Sequence, residues 1–315
     1  MLCLPSQGLA QLALAYLGVS APVCAAPASA HAPEREVTLQ CAALGPGLNE
    51  GFVVEGEARS FYLDLPTDVG ERPDYPVVFT WHGLQQSALD VRPFMAAHVD
   101  DPGRPFVAVT PEDTDVLLKT PVGELNVDWD VFDAEEGSKE VALFDAVLDC
   151  VDQRWGVDED RVHSVGVSLG GVVTNYLGAA RGEQLASVVS FSGAYWSNPA
   201  HDDPILDLWV DWPEPQTGGQ YAQLMAHGGD ADRATIYGTL NVDFQKWARQ
   251  DAAFLHDKGH RVVLCDHGEG HFVPEALRGA PVLEFLFDHP RGGQPSTWSE
   301  ELPMSMPAYC EMVET

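Results

Sequence analysis

Arg161-Val162-His163-Ser164-Val165-Gly166-Val167-Ser168-Leu169-Gly170-Gly171-Val172-Val173 is the stretch that decides how this chain is read. An apolar run enters Gly166, a run of small residues at helical spacing leaves Gly170, and Ser168 stands at the turn between them. A serine on a strand–turn–helix of this kind has its hydroxyl lifted clear of the backbone, where it can act as a nucleophile. Small residues must flank it, because the backbone there is strained and tightly packed and a Cβ has no room. The string Gly-x-Ser-x-Gly is short enough to arise by chance. Its weight comes from the order of the segments around it.

Working outward, residues 59–66 alternate apolar and polar side chains and stop at Pro66, as a strand with one solvated face does. The runs 76–81 and 105–111 are continuously apolar, the pattern of strands buried on both faces. Residues 139–155 place Val141, Ala142, Phe144, Val147, Leu148 and Val151 on a helical period, and 170–181 reads as a helix packed through small residues. Downstream the alternation repeats, with strands at 187–192, 221–226 and 261–265 and helices at 242–258 and 274–288, the last opened by a proline. This order predicts an α/β fold: a mostly parallel, doubly wound sheet with helices on both faces. The catalytic domain is expected over 36–290, with a C-terminal tail over 291–315. Within it, 195–219 is rich in Trp, Pro and Asp and breaks the rhythm, reading as a lid or cap or as an ordered surface insertion.

Open parallel sheets put their active sites at the carboxyl ends of the strands. Four expected strand ends carry chemically competent residues: His82-Gly83-Leu84, Ser168, His227-Gly228-Gly229-Asp230-Ala231-Asp232, and Asp266-His267-Gly268-Glu269-Gly270-His271. Serine, then aspartate, then histidine is a chain order that supports a nucleophile, an orienting acid and a base. A serine hydroxyl is too weakly acidic to attack an ester unaided, so a base must take its proton. His271 is the candidate base, because Gly268-Glu269-Gly270 lets it swing inward, while His267 lies nearer the strand end. Asp230 and Asp232 are both candidates for the acid. For the oxyanion, the backbone N–H of Leu169 at a helix start and that of Leu84 are the expected donors. His82 is read as a structural residue that holds the loop. Trp129 and Trp196 are read as lining an aromatic pocket for an acyl group such as a ferulate, against the plainer reading as packing aromatics.

His82-Gly83 after a strand, Asp158 to Arg161 before the next, Gly166-Val167-Ser168-Leu169-Gly170-Gly171, and Gly268-Glu269-Gly270-His271 with Pro274 resemble the polyhydroxybutyrate depolymerase and feruloyl esterase family of α/β-hydrolases. The resemblance runs from about residue 55 to about residue 290. It implies a secreted or lipid-anchored serine esterase acting on polyesters or plant cell-wall esters, with no cofactor. It also favours Asp232 over Asp230 as the acid, completing a Ser168–Asp232–His271 set. The acid loop departs from the commoner His-Gly-x-x-Asp pattern, and no separate polymer-binding module is evident.

Composition bounds the partners. The 315 residues hold 17 Lys+Arg against 48 Asp+Glu, a net charge of −31, which argues against nucleic acid and anionic membrane surfaces. The acids are scattered rather than gathered, as in a solvated shell that favours solubility. Residues 1–30 carry an apolar run followed by Ala25-Ala26-Pro27-Ala28-Ser29-Ala30, read as a signal peptide or flexible arm despite the lack of Lys or Arg, with a secreted or cell-envelope location. That run is too short and interrupted for an expected membrane span. Of six cysteines, Cys41, Cys150, Cys265 and Cys310 lie beyond this segment and allow two disulfides in three pairings. A metal set of Asp266, His267 and His271 is set aside, since the chemistry needs none. The alternatives are an acyltransferase or peptidase on the same fold, or a non-catalytic binding module, which would lack a member of the set.

Overall fold

The thirteen strands and four principal helices below come from a computed structural model that describes residues 39–120, 123–132, 138–201, 210, 212–215, 218–236, 240–292, 298 and 301–314. These residues belong to one compact unit, Thr38–Thr315. The signal or arm reading of 1–30 lies outside them, as do 202–209, 211, 216 and 217 of the lid or cap reading.

Nine strands form the main sheet: β1 (Gly47–Val54), β2 (Glu57–Asp64), β3 (Tyr75–Trp81), β4 (Val107–Pro111), β7 (Val157–Val167), β8 (Ser187–Phe191), β9 (Ala222–His227), β12 (Arg261–Asp266) and β13 (Cys310–Met312). Their order is β1-β2-β4-β3-β7-β8-β9-β12-β13. Every pairing from β4 through β12 is parallel, and the strands at the two edges are antiparallel. The hairpins β5–β6 (Leu117–Thr120, Gly123–Asn126) and β10–β11 (Arg233–Ile236, Leu240–Asp243) stand apart from this sheet.

The apolar runs explain the layering. In β3, Val77, Phe79 and Trp81 pack into one core with α1 (Lys139–Trp155) and α2 (Leu169–Arg181), while Val78 packs into a second core with α4 (Ala280–Phe287). Side chains alternate across a strand, so a strand buried on both faces must be apolar at consecutive positions. The expected doubly wound α/β sheet is the observed one.

Three boundaries moved for local reasons. The helix expected over 242–258 is α3 (Phe244–Asp257), because Leu240–Asp243 pairs with Arg233–Ile236 and Asp243 caps the helix by accepting Lys246 N–H at 3.0 Å. The helix expected over 274–288 divides into a single turn at Glu275–Leu277 and α4, which restarts with Pro281 in its first turn, where no N–H is needed. The expected tail closes the far edge of the sheet instead: Cys310–Met312 pairs with β12, and Cys310 is bonded to Cys265. The other disulfide joins Cys41 to Cys150 of α1.

One buried ion pair bears on the site. Arg59 on β2 meets Glu140 on α1 at 3.1 Å, both almost fully buried. Burial pushes the Glu140 carboxyl up to about 7, against the pull of the Arg59 guanidinium. Glu140 also accepts the Asp130 N–H at 2.9 Å, which anchors the segment carrying Asp128 and Trp129.

Candidate active site

Ser168 occupies the turn between β7 and α2 with φ +56°, a left-handed conformation rare for a non-glycine residue. Its N–H donates to the Phe191 carbonyl at 2.8 Å, which fixes the turn against β8. A Cβ on Gly166 would lie 1.8 Å from the Gly170 carbonyl oxygen, and one on Gly170 would lie 2.2 Å from that of Trp81. Both glycines are therefore demanded by contact, which is what the opening string signals.

Three distant segments meet at this turn. His271 Nε2 lies 3.0 Å from Ser168 Oγ, and His271 Nδ1 lies 2.7 Å from Asp232 Oδ1. An Nδ1–H that donates to Asp232 leaves Nε2 with its lone pair directed at the serine hydroxyl, an arrangement able to accept a proton from it. Asp232 is wholly buried, and its Oδ2 accepts the Ser192 hydroxyl at 2.7 Å and the Gly228 N–H at 2.8 Å. Burial alone would raise this carboxyl, but the hydrogen bonds from His271, Gly228 and Ser192 outweigh it and hold the group below the ordinary aspartate range. Phe244, at the start of α3, stacks on the His271 ring with centroids 4.5 Å apart and planes at 21°.

The rival residues sit elsewhere. Asp230 is exposed. His267 is largely buried, has its ring against Phe272 and Tyr309, and accepts Glu269 N–H at 3.3 Å.

A cavity of about 340 Å³ opens beside Ser168 and His271, walled by Leu84, Phe94, Phe272 and Arg278 among others. Leu84 and Leu169 flank the serine on two sides, one on the loop after β3 and one at the first position of α2. Among the described hydrogen bonds neither of their N–H groups has an acceptor. The loop itself is tied down: Gly83 N–H donates to Gln86 Oε1 at 2.8 Å, Gln85 N–H to Asp128, and Ala88 N–H to Glu112 at 2.9 Å.

The two tryptophans differ. Trp129 is wholly buried, edge-on to Trp81, and donates its indole N–H to the His82 carbonyl at 3.0 Å. The expectation that it lines an acyl pocket is therefore corrected: it props the loop from beneath and has no face left for a ligand. Trp196 is half-buried within a run of rings, next to Phe132, Trp212 and Trp247, and Trp247 in turn meets Phe244. It does not wall the cavity beside Ser168.

No family model matches the chain. Feruloyl esterase D of Neurospora crassa is 29% identical over 172 residues, covering 51% of this chain and 56% of that protein's length. The protein named "Probable feruloyl esterase C" of Aspergillus terreus is 25% identical over 228 residues, covering 68% of this chain and 80% of the other. In fold, a serine-to-alanine variant of pOPH in complex with pNPB superposes with a TM-score of 0.67 at 19% identity, covering 85% of this chain and 94% of that one. The chain is similar in sequence to these two feruloyl esterases, and its fold is that of the α/β-hydrolases. The motifs around His82, Ser168 and His271 that carried the resemblance follow the carboxyl ends of β3, β7 and β12, where open parallel sheets gather their active-site loops.

Sequence reading missed four residues in the candidate site: Ser192, Phe244, Asp128 and Gln86. Ser192 follows β8 as directly as His82 follows β3, so a search of every strand end would have found it. Phe244, Asp128 and Gln86 gave no such signal, since each works through a contact across the fold.

Proposed function

We propose that the chain is a serine carboxylic-ester hydrolase with Ser168 as nucleophile, His271 as general base and then acid, and Asp232 as the residue that orients and stabilises the imidazolium. The observation that carries this reading is the continuous relay from Ser168 Oγ to His271 at 3.0 Å and from His271 to Asp232 at 2.7 Å.

Ser168 Oγ attacks the ester carbonyl carbon while its proton passes to His271 Nε2. The carbonyl oxygen becomes an oxyanion and is met by the N–H groups of Leu169 and Leu84, the former helped by the N-terminal dipole of α2. The tetrahedral species collapses, the ester C–O bond breaks, and the alcohol leaves with the proton from His271. Water, deprotonated by the same imidazole, then attacks the acyl-serine, and the acid leaves with Ser168 Oγ reprotonated. This route uses no cofactor.

The names of the fungal relatives favour feruloyl esters, with polyhydroxyalkanoate-type and acetylated cell-wall esters as the other substrates to test. Extracytoplasmic placement is supported by two disulfides, bonds that persist in oxidising compartments. No helix among the described residues is long and apolar enough to cross a membrane.

The test is a panel of p-nitrophenyl butyrate, methyl ferulate, acetylated xylan and hydroxybutyrate oligomers with wild type and Ser168→Ala. The variant should lose on the order of 10⁴-fold or more in kcat. Retained turnover by folded Ser168→Ala rejects the nucleophile.

A further inference from the structure

Directly beneath the loop that carries Leu84 lies a group of polar side chains that the ester chemistry does not use. His82 is wholly buried, with Nδ1 2.9 Å from the Gly83 carbonyl, so Nδ1 holds the hydrogen and Nε2 the lone pair. Nε2 is buried and has no hydrogen-bond partner among the described residues. A buried acceptor left unmet is costly, and such an atom calls for an occupant.

The next residues after β4 supply the rest. One ligand atom each from His82, Glu112 and Asp113 lie within 4.8 Å of one another. Asp128 is buried close by, and none of the described ion pairs gives Glu112, Asp113 or Asp128 a Lys or Arg partner. Carboxylates crowded around one imidazole, with no Lys or Arg partner among the described ion pairs, make a pocket of negative potential in a chain that already carries −31.

We propose that His82 Nε2 and the carboxylates of Glu112 and Asp113 bind a divalent transition-metal cation of the Zn²⁺ or Mn²⁺ kind. One imidazole nitrogen with two carboxylate oxygens is a donor set for such ions, with water completing the shell. Bonds of about 2.1 Å in a tetrahedral shell set ligand atoms about 3.4 Å apart, so binding draws atoms now within 4.8 Å of one another together by up to about 1.4 Å. The second ring nitrogen is already oriented by the Gly83 carbonyl, the arrangement that metal-binding histidines need.

The ion's place makes it a clamp on the loop. His82 begins the segment, and Glu112 already accepts the N–H of Ala88 at its other end. One cation thus ties both ends of the loop whose middle holds Leu84. The binding claim stands without the ester reading; only its effect on turnover rests on that reading.

The test uses the full chain stripped with EDTA and titrated calorimetrically with Zn²⁺ and with Mn²⁺, alongside Asp113→Asn and Glu112→Gln. Wild type should show one saturable site for at least one of these ions, with affinity at least about tenfold weaker in either variant, the loss expected for removal of a ligand. Crystals of the loaded wild-type protein, measured at the metal's absorption edge, should place an anomalous peak between these three side chains, a readout independent of how the variants fold. No saturable binding, unchanged affinity in folded Asp113→Asn, or an anomalous peak elsewhere overturns the proposal. A shared proton between His82 and Asp113 would then fill the gap. If the ion binds and Ser168 proves inert, the clamp survives and the ester reading falls.

Discussion

Ser192 donates its hydroxyl to Asp232 Oδ2 at 2.7 Å, on the side of the carboxylate away from His271. The acid is thus gripped by β8 through Ser192 and by its own loop through Gly228 N–H, which leaves Oδ1 aimed at the imidazole. A wholly buried carboxylate without these donors would protonate and cease to orient the ring.

Asp232→Asn should cut kcat on p-nitrophenyl butyrate by about 10⁴-fold, because the amide favours the wrong imidazole tautomer. Asp230→Asn, at an exposed position, should stay within about twofold of wild type. Ser192→Ala removes one hydrogen bond to a charged group and should cost roughly tenfold in kcat/KM. A dead Asp230→Asn beside an active Asp232→Asn would reassign the acid.

The same carboxylate makes stability depend on acid. Its folded-state pKa lies below the ordinary 3.8, so the unfolded chain binds the extra proton first as the pH falls. Its contribution is complete above the unfolded value and is lost as the pH drops through the folded one. The stability gap between wild type and Asp232→Asn, from urea denaturation, should be widest near neutral pH and narrow below about pH 4. A gap that widens on acidification contradicts the depressed pKa.

Removing Glu140 leaves the Arg59 guanidinium buried and unpaired. Glu140→Ala should destabilise by about 3–5 kcal/mol in urea denaturation. It also frees Asp130 N–H, and with it the segment that props His82 through Trp129. The expected signature is a fall in kcat/KM at temperatures where the variant is still folded. Unchanged kinetics would show that the loop after β3 is held without this support.

The Cys265–Cys310 bridge closes a loop of sequence separation 45 and anchors a three-residue edge strand. Cys265→Ser with Cys310→Ser should cost about 2–4 kcal/mol, seen as a lower Tm that dithiothreitol does not lower further at this bridge. Activity at low temperature should persist, since β13 lies on the far edge from Ser168. Loss of turnover in the folded variant would mean that β12 and the His271 loop depend on the edge.

The central strands, α1 and the serine turn were legible because burial on both faces and glycine contact leave local marks in the chain. Val77-Val78-Phe79 must be apolar throughout to fill two cores, and Gly166 and Gly170 must be small where strand meets helix. The hairpins β5–β6 and β10–β11 and the edge strand β13 were not legible. Short strands draw their stability from a partner, and the partner is not written in the strand itself.

The chain by itself determined which residues are chemically competent and in what order they meet the sheet: serine after β7, two aspartates after β9, two histidines after β12. Tertiary structure set Asp232, not Asp230, and His271, not His267, within hydrogen-bond distance of one another and of Ser168, made Trp129 a prop, and set His82 against Glu112 and Asp113. Competence is a property of a side chain and its local backbone. Distance, burial and hydrogen-bond supply are properties of segments far apart in the chain, Asp232 and His271 by 39 residues and Ser168 and His271 by 103, and only packing brings those together.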